Sequence, residues 1–207
     1  MQSSKKETLK ETPMIQQYQE IKSRYPDFIL FFRLGDFYEM FEEDAKEAAG
    51  ILGIALTHRG GRLMCGFPYH AKDNYLFKLV KANKKVAICE QVEEPGKSKL
   101  VKREVKELVT PGTFTDENHL AKHSHSFLAS FFIEGDEMAL AFADASTGKL
   151  VLVKENYDIQ RLASLIHAFK PVEILLLQTK KELSLLLSSF FTTTLPSYYF
   201  SPAMNEP

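Results

Sequence analysis

At 207 residues the chain has length for two modest domains or one large one, and 44% hydrophobic with 26% charged residues is a globular composition rather than a disordered one. No run of about 18 apolar residues occurs, which excludes a helical membrane span, and the polar start "MQSSKKETLKET" lacks the apolar middle of a secretion signal. Net charge is −1: residues 1–116 hold 19 Lys and Arg against 17 Asp and Glu, residues 117–207 hold 7 against 10, and neither balance selects or excludes nucleic acid. Residues 1–12 read as a disordered arm. Cys65 and Cys89 belong to no Cys-x-x-Cys pair and read as two reduced thiols of a cytoplasmic protein.

The first element opens at Thr12-Pro13, a helix N-cap followed by proline at the first helical position. Met14, Tyr18, Ile21 and Tyr25 recur at helical spacing, and Pro26 marks the stop. "DFILFFRL" is a strand too apolar for an edge facing water, and Gly35-Asp36 is a turn. From Phe37 the period changes: Phe37, Phe41, Ala45, Ala48 and Leu52 form a helical stripe, with Phe37 at the helix mouth and Gly53 as the stop. "IALTHR" begins a second strand and "GGRLMCGFPYH" reads as a glycine-punctuated loop. "AKDNYLFKLVKAN" predicts a second amphipathic helix with Tyr75, Leu76, Leu79 and Val80 inward. "KVAICEQV" is a strand, "EEPGKSK" a charged turn, and "LVKREVKELVTPG" a further strand. The first domain, 13–116, therefore reads as a mixed sheet with helices packed on it.

Residues 117–126 are polar and predict a linker. Beyond it "FLASFFIEG", "EMALAFADAS" and "KLVLVKE", joined by Gly-Asp and Thr-Gly turns, predict an antiparallel meander. "DIQRLASLIHAFK" is a helix that Asp158 caps, "VEILLL" a buried strand, and "KKELSLLLSSF" another helix. The order β-β-β-α-β-α makes 127–207 a second α/β domain, expected to stop short of its own C-terminal end.

Three candidate sites fail on chemistry. Gly96-Lys97-Ser98 looks like the tail of a phosphate-binding loop, but Gln91 stands where the first glycine belongs and a strand follows where a helix must open. His119 and His123 stand at i, i+4 with His125 nearby, but the Glu and third ligand of a metallopeptidase are missing, so no metal is expected. Asp144 sits on a strand, but two-metal hydrolysis needs several converging acids, and the first strand of the meander has none in its interior while the following helix carries only Asp158, at its start.

"TPMIQQY", "LFFRLGDFYEMFEEDA", "LTHRG", "MCGFPYHA", "YLFKLVKANKKVAICEQ" and "VTPGT" together resemble the N-terminal, mismatch-recognition domain of the MutS family of DNA mismatch repair proteins. The resemblance runs from residue 12 to about 116 and continues more weakly into a connector domain similar to the ribonuclease H-like fold without its catalytic acids. It implies a binding protein for duplex DNA that contains a mismatch or a small insertion. Phe37 would enter the minor groove and stack on the mispaired base, and Glu39 would hydrogen-bond an edge of that base. Leu34, Asp36 and Met64 would lie around the groove and Arg59 near the DNA backbone.

Wedging a ring into a base step costs a few kcal/mol of unstacking and kinks the duplex, and the cost is smaller where pairing is already damaged. Deformability, not sequence, is what such a site reads. The family continues into clamp and ATPase regions, so ATP and magnesium belong to that part, and no catalytic residue, metal or cofactor is expected in these 207 residues. The chain is expected to be a piece of such a protein or a short member keeping its front two domains. Expected partners are the damaged duplex, a MutS-type dimer partner and downstream repair proteins, with no membrane. The rival reading is an interaction module that binds no DNA and docks a repair partner.

Overall fold

The computed structural model describes residues 12–93, 101–115, 125–177, 181–196 and 199. It divides into two compact units, one ending at Thr110 and the other beginning at Pro111. No helix among the described residues is long and apolar enough to cross a membrane.

The first unit contains α1 (Pro13–Arg24), β1 (Phe28–Leu34), β2 (Phe37–Phe41), α2 (Glu42–Leu52), β3 (Thr57–Arg59), β4 (Arg62–Pro68), α3 (Lys72–Lys81), β5 (Lys85–Gln91) and β6 (Arg103–Val109), with a single 3-10 turn at Tyr69–Ala71 before α3. Thr12 caps α1 as expected, its side chain accepting from the Ile15 N–H at 3.4 Å. The six strands form one sheet in the order β3-β4-β2-β1-β5-β6. Only β1 and β5 run parallel; every other neighbouring pair is antiparallel, so the mixed sheet is as expected.

Two expected elements are different. Phe37–Phe41 is a strand, not the first turn of a helix, and α2 starts only at Glu42. The residues fit either period. Phe37 and Phe41 sit four apart, but Tyr38 and Met40 are buried on one face of β2 while Phe41 is buried on the other, the mark of a central strand apolar on both sides. The chain passes from strand to helix without a loop, with Glu42 at φ +53° absorbing the change of direction. The segment expected as a loop, "RLMCGFP", is strand β4, which completes the sheet between β3 and β2. Its glycines misled: Gly60 and Gly61 turn the β3–β4 hairpin, but Gly66 lies inside the strand.

Helix α1 covers the sheet face that carries Leu30, Phe32 and Phe41, bringing Ile15, Tyr18 and Ile21 onto it. On the opposite face Phe31 meets Phe67 edge to face at 4.9 Å, and Phe67 stacks on Tyr75 at 4.3 Å. Cys65 and Cys89 are free and buried, and burial pushes their thiols up to about 11 and about 12, so neither is a thiolate near neutral pH.

The second unit contains β7 (Leu128–Glu134), β8 (Glu137–Asp144), β9 (Lys149–Asn156), α4 (Ile159–Phe169), β10 (Glu173–Leu176), α5 (Lys181–Leu186) and β11 (Thr192–Thr194). The expected meander β7-β8-β9 is antiparallel, and β10 and β11 add in parallel on the β7 side, giving the order β11-β10-β7-β8-β9. Asp158 caps α4 as expected, accepting from the Gln160 and Arg161 N–H groups at 2.7 and 2.8 Å. Strand β11 has no counterpart in the sequence reading; three threonines carry no hydrophobic alternation to announce it.

Asp144 ends β8 fully buried. It accepts from the Ser146 N–H and Oγ–H at 3.0 and 2.6 Å, and its Oδ2 lies 2.9 Å from His125 Nδ1. Burial acts to raise this carboxyl, but the hydrogen bonds from Ser146, His125 and Thr147 outweigh it and hold it well below the usual carboxylate range. A depressed native value stabilises the fold above the unfolded value, near pH 4, and that stability is lost as pH falls through the carboxylate range and below. Asp144→Asn is therefore expected to cost the second unit about 2 kcal/mol at pH 7 and much less near pH 2, read from denaturation at the two pH values. The carboxylate organises the end of β8, and among the described residues there is no group of three His, Cys, Asp or Glu side chains placed to hold a metal ion. His119, His123 and the Gly96-Lys97-Ser98 triplet lie outside the described residues, as does most of the expected linker.

Candidate nucleic-acid interface

A two-residue turn joins β1 to β2. Leu34 pairs with Phe37 across it, and Gly35 at its first position has φ +57°, a conformation that disfavours other residues. The turn is held from two sides. The Tyr69 N–H donates to the Asp36 carbonyl at 2.8 Å, and Arg33 Nε donates to the Gly35 carbonyl at 2.5 Å. The Arg33 guanidinium also lies 3.8 Å over the Tyr69 ring, and Tyr38 donates its hydroxyl to Glu90 on β5. Phe37 thus starts a rigid strand rather than a fraying helix end.

Side chains two apart on a strand share a face. Register then carries that face across the sheet. Phe37, Glu39 and Phe41 on β2 are level with Leu34 and Phe32 on β1, with Pro68, Gly66 and Met64 on β4, and through Met64 with Thr57 on β3. Arg59 pairs with Arg62 at the tip of the β3–β4 hairpin and belongs to the same face. Five of the six residues singled out from sequence, Leu34, Phe37, Glu39, Arg59 and Met64, are therefore on one side of the sheet. Asp36 is the exception, exposed in the turn.

Helix α1 buries only part of this face. Leu34 and Met64 are half-buried against its cluster, whereas Phe37 is 46% exposed. Glu39 is 9% exposed, and Arg59 Nη1 lies 2.5 Å from its Oε2. Arg59, expected near a DNA backbone, spends its guanidinium on Glu39 here. No hinge in the sequence pattern foretold this, because the two residues are brought together only by the β3-β4-β2 register.

Gly66 was missed for the same reason. It pairs with Glu39, and a Cβ built on it would stand 2.8 Å from the Tyr38 carbonyl oxygen and 3.3 Å from Glu39 Cγ. A glycine within a strand marks such a close approach, and that signal was available had β4 been recognised as a strand. Gly66→Ala is expected to cost about 1–3 kcal/mol by forcing β2 and β4 apart, visible as a lowered melting temperature.

The arrangement presents an exposed ring and a pinned carboxylate, two residues apart, on an open sheet face. It offers stacking and one acceptor to something flat.

The comparisons agree with the resemblance read from the motifs. MutS domain I matches residues 12–118. The DNA mismatch repair protein MutS of Desulfitobacterium hafniense is 52% identical over 180 residues, which is 84% of this chain and 20% of that protein. The proteins of the same name from Staphylococcus epidermidis and Clostridium botulinum are 47% and 45% identical over 177 residues, 83% of this chain in each case. The chain spans about a fifth of the length of these curated relatives. Since the matched residues 12–118 take in more than half of the chain and every strand of the sheet that carries Phe37 and Glu39, the chain belongs to the MutS domain I family.

Proposed function

We propose that the first unit recognises mispaired or unpaired bases in duplex DNA, with Phe37 as the wedge and Glu39 as the hydrogen-bonding group. The observation that carries this reading is the exposure of Phe37, at 46%, at the start of a buried central strand and beside a carboxylate on the same face. A large ring left in water at the end of a rigid hairpin contributes little to the core, and the same ring stacks well on any base. A matched step resists the wedge by the full cost of unstacking, while a mispaired or unpaired base offers less resistance. Glu39 adds selectivity of a second kind, since a carboxylate pressed against phosphates or intact minor-groove acceptors is repelled.

Leu34 and Met64 would line the groove beside the ring, and Asp36 would approach it from the turn. Lys and Arg contacts to phosphate would set orientation without reading sequence. The reading is of binding, with no catalytic step and no cofactor at this site; ATP and magnesium would be handled by other regions of the family's longer proteins. In the second unit, the antiparallel meander extended by parallel strands on its first strand supports a ribonuclease H-like connector domain. A dimer partner of the same family and downstream repair proteins are the partners this reading implies.

The test is 2-aminopurine placed next to an unpaired thymine in a short duplex. Insertion of Phe37 unstacks the probe and raises its fluorescence, and Phe37→Ala abolishes the rise. A rise that survives the substitution removes Phe37 from the mechanism. No rise with either protein favours the docking-module reading instead.

A further inference from the structure

Arg59 and Arg62 stand directly opposite each other across the β3–β4 hairpin, and two cations so placed repel. Each is matched by a carboxylate from the β2–α2 segment, Arg59 by Glu39 and Arg62 by Glu42, at 2.5 and 2.8 Å. The two pairs are inverted in exposure. In the second the arginine is the buried partner, with its side chain 12% exposed against 45% for Glu42. In the first the carboxylate is buried, 11% exposed against 50% for Arg59. Arg62 ties the hairpin down, whereas Arg59 reaches from the surface to hold a sunken carboxylate beside Phe37. A carboxylate taken that far out of water needs such a partner to hold it in place.

We propose that Arg59 is the positioning residue of Glu39, acting on the choice between damaged and intact DNA rather than on the strength of DNA binding as such. This rests on the mismatch reading above and deepens it. Arg59 engages Oε2, and a carboxylate with about four acceptor sites keeps Oε1 for a base edge. Gly66 supplies the floor on which the Glu39 stem lies, so the carboxylate is fixed by a missing side chain beneath it and a cation at its end. An arginine that served only as a phosphate contact would act alike on every duplex and would steepen the salt dependence by about one counterion.

The test is competition binding by the full chain at low salt, between a duplex with one unpaired thymine and its matched counterpart. Wild type is compared with Phe37→Ala, Arg59→Met, Arg59→Lys, Glu39→Gln and the double variant Arg59→Met/Glu39→Gln. Arg59→Met is expected to lower the affinity ratio of the two duplexes about three- to tenfold, the range for losing one partly exposed charged hydrogen bond. Arg59→Lys should restore part of that ratio, and the double variant should be no worse than Glu39→Gln alone. An equal loss on both duplexes, or losses that multiply in the double variant, overturns the proposal and leaves Arg59 a phosphate contact. Should Arg59→Met not fold, the ratio with Arg59→Lys decides: unchanged discrimination with weaker binding throughout overturns it. A wild type with no ratio to lose, or a Phe37→Ala variant that keeps it, fails the mismatch reading itself and this proposal with it.

Discussion

Phe37→Ala is expected to leave the melting temperature within about 2 °C of wild type while lowering affinity for a duplex with an unpaired base about 10- to 100-fold. The two halves of this result come from the same observation. A fully buried phenylalanine truncated to alanine costs about 3–5 kcal/mol, which would move the melting temperature of a domain this size by more than about 10 °C. Phe37 is 46% exposed and ends the buried run of its hairpin, so little of that cost applies. Phe31, fully buried six residues earlier and packed on both Tyr38 and Phe67, is the control that should show it in full. The functional half follows from stacking, worth about 1–3 kcal/mol per base when an aromatic is replaced by alanine. A variant that melts early, or binds the damaged duplex as tightly as wild type, would place Phe37 in the core or outside the interface.

The second large effect is on stability. Asp44, buried at the start of α2, accepts from the Tyr18 hydroxyl at 2.9 Å and the Leu30 N–H at 3.0 Å, and pairs with Lys22 Nζ at 2.8 Å. One carboxylate thus joins α1, α2 and β1 beneath the face that carries the candidate site. Burial, and then the Asp44 charge, push the Tyr18 hydroxyl well above its ordinary range, so it remains a donor at any working pH. Asp44→Ala leaves the buried Leu30 N–H without its acceptor and removes the best acceptor of the Tyr18 hydroxyl, while Lys22 keeps the Pro26 and Phe28 carbonyls, and is expected to cost about 2–3 kcal/mol. Urea denaturation should show a lower midpoint with an unchanged slope. Glu43→Ala, one residue away and exposed, should move stability by less than about 0.5 kcal/mol. Equal midpoints for the two variants would mean the network contributes nothing net.

Much of the first unit was legible because its signals were local. Thr12-Pro13 opens α1, the spacing of Leu76, Leu79 and Val80 marks α3, and Gly35-Asp36 between apolar runs marks a turn. The misreadings have separate causes. Phe37–Phe41 is β2, an inner strand buried on both faces beyond Phe37, which erases the alternation that would identify it, and Arg62–Pro68 is β4, whose flanking and internal glycines read as a loop. The site was legible as a motif but not as a geometry. That Phe37 stands out from the sheet follows from the hairpin; that Glu39 is sunk over Gly66 and held by Arg59 follows from contacts between residues 27 and 20 apart, which no local pattern carries.

Charge sets the conditions for any test of the chain by itself. Residues 1–116 have a small positive excess, 19 Lys and Arg against 17 Asp and Glu, so the electrostatic share of affinity is small and tests of the chain belong at low salt, where that share is largest.

The central claim is that Phe37 reads a defect in the duplex. Its most direct test is fluorescence anisotropy at low salt, titrating wild type and Phe37→Ala into a labelled duplex with one unpaired thymine and into its matched counterpart. Tighter binding of wild type to the defective duplex, reduced in Phe37→Ala to the level of the matched one, is the expected result. Equal binding of wild type to both duplexes, with Phe37→Ala indistinguishable from it, would contradict the claim.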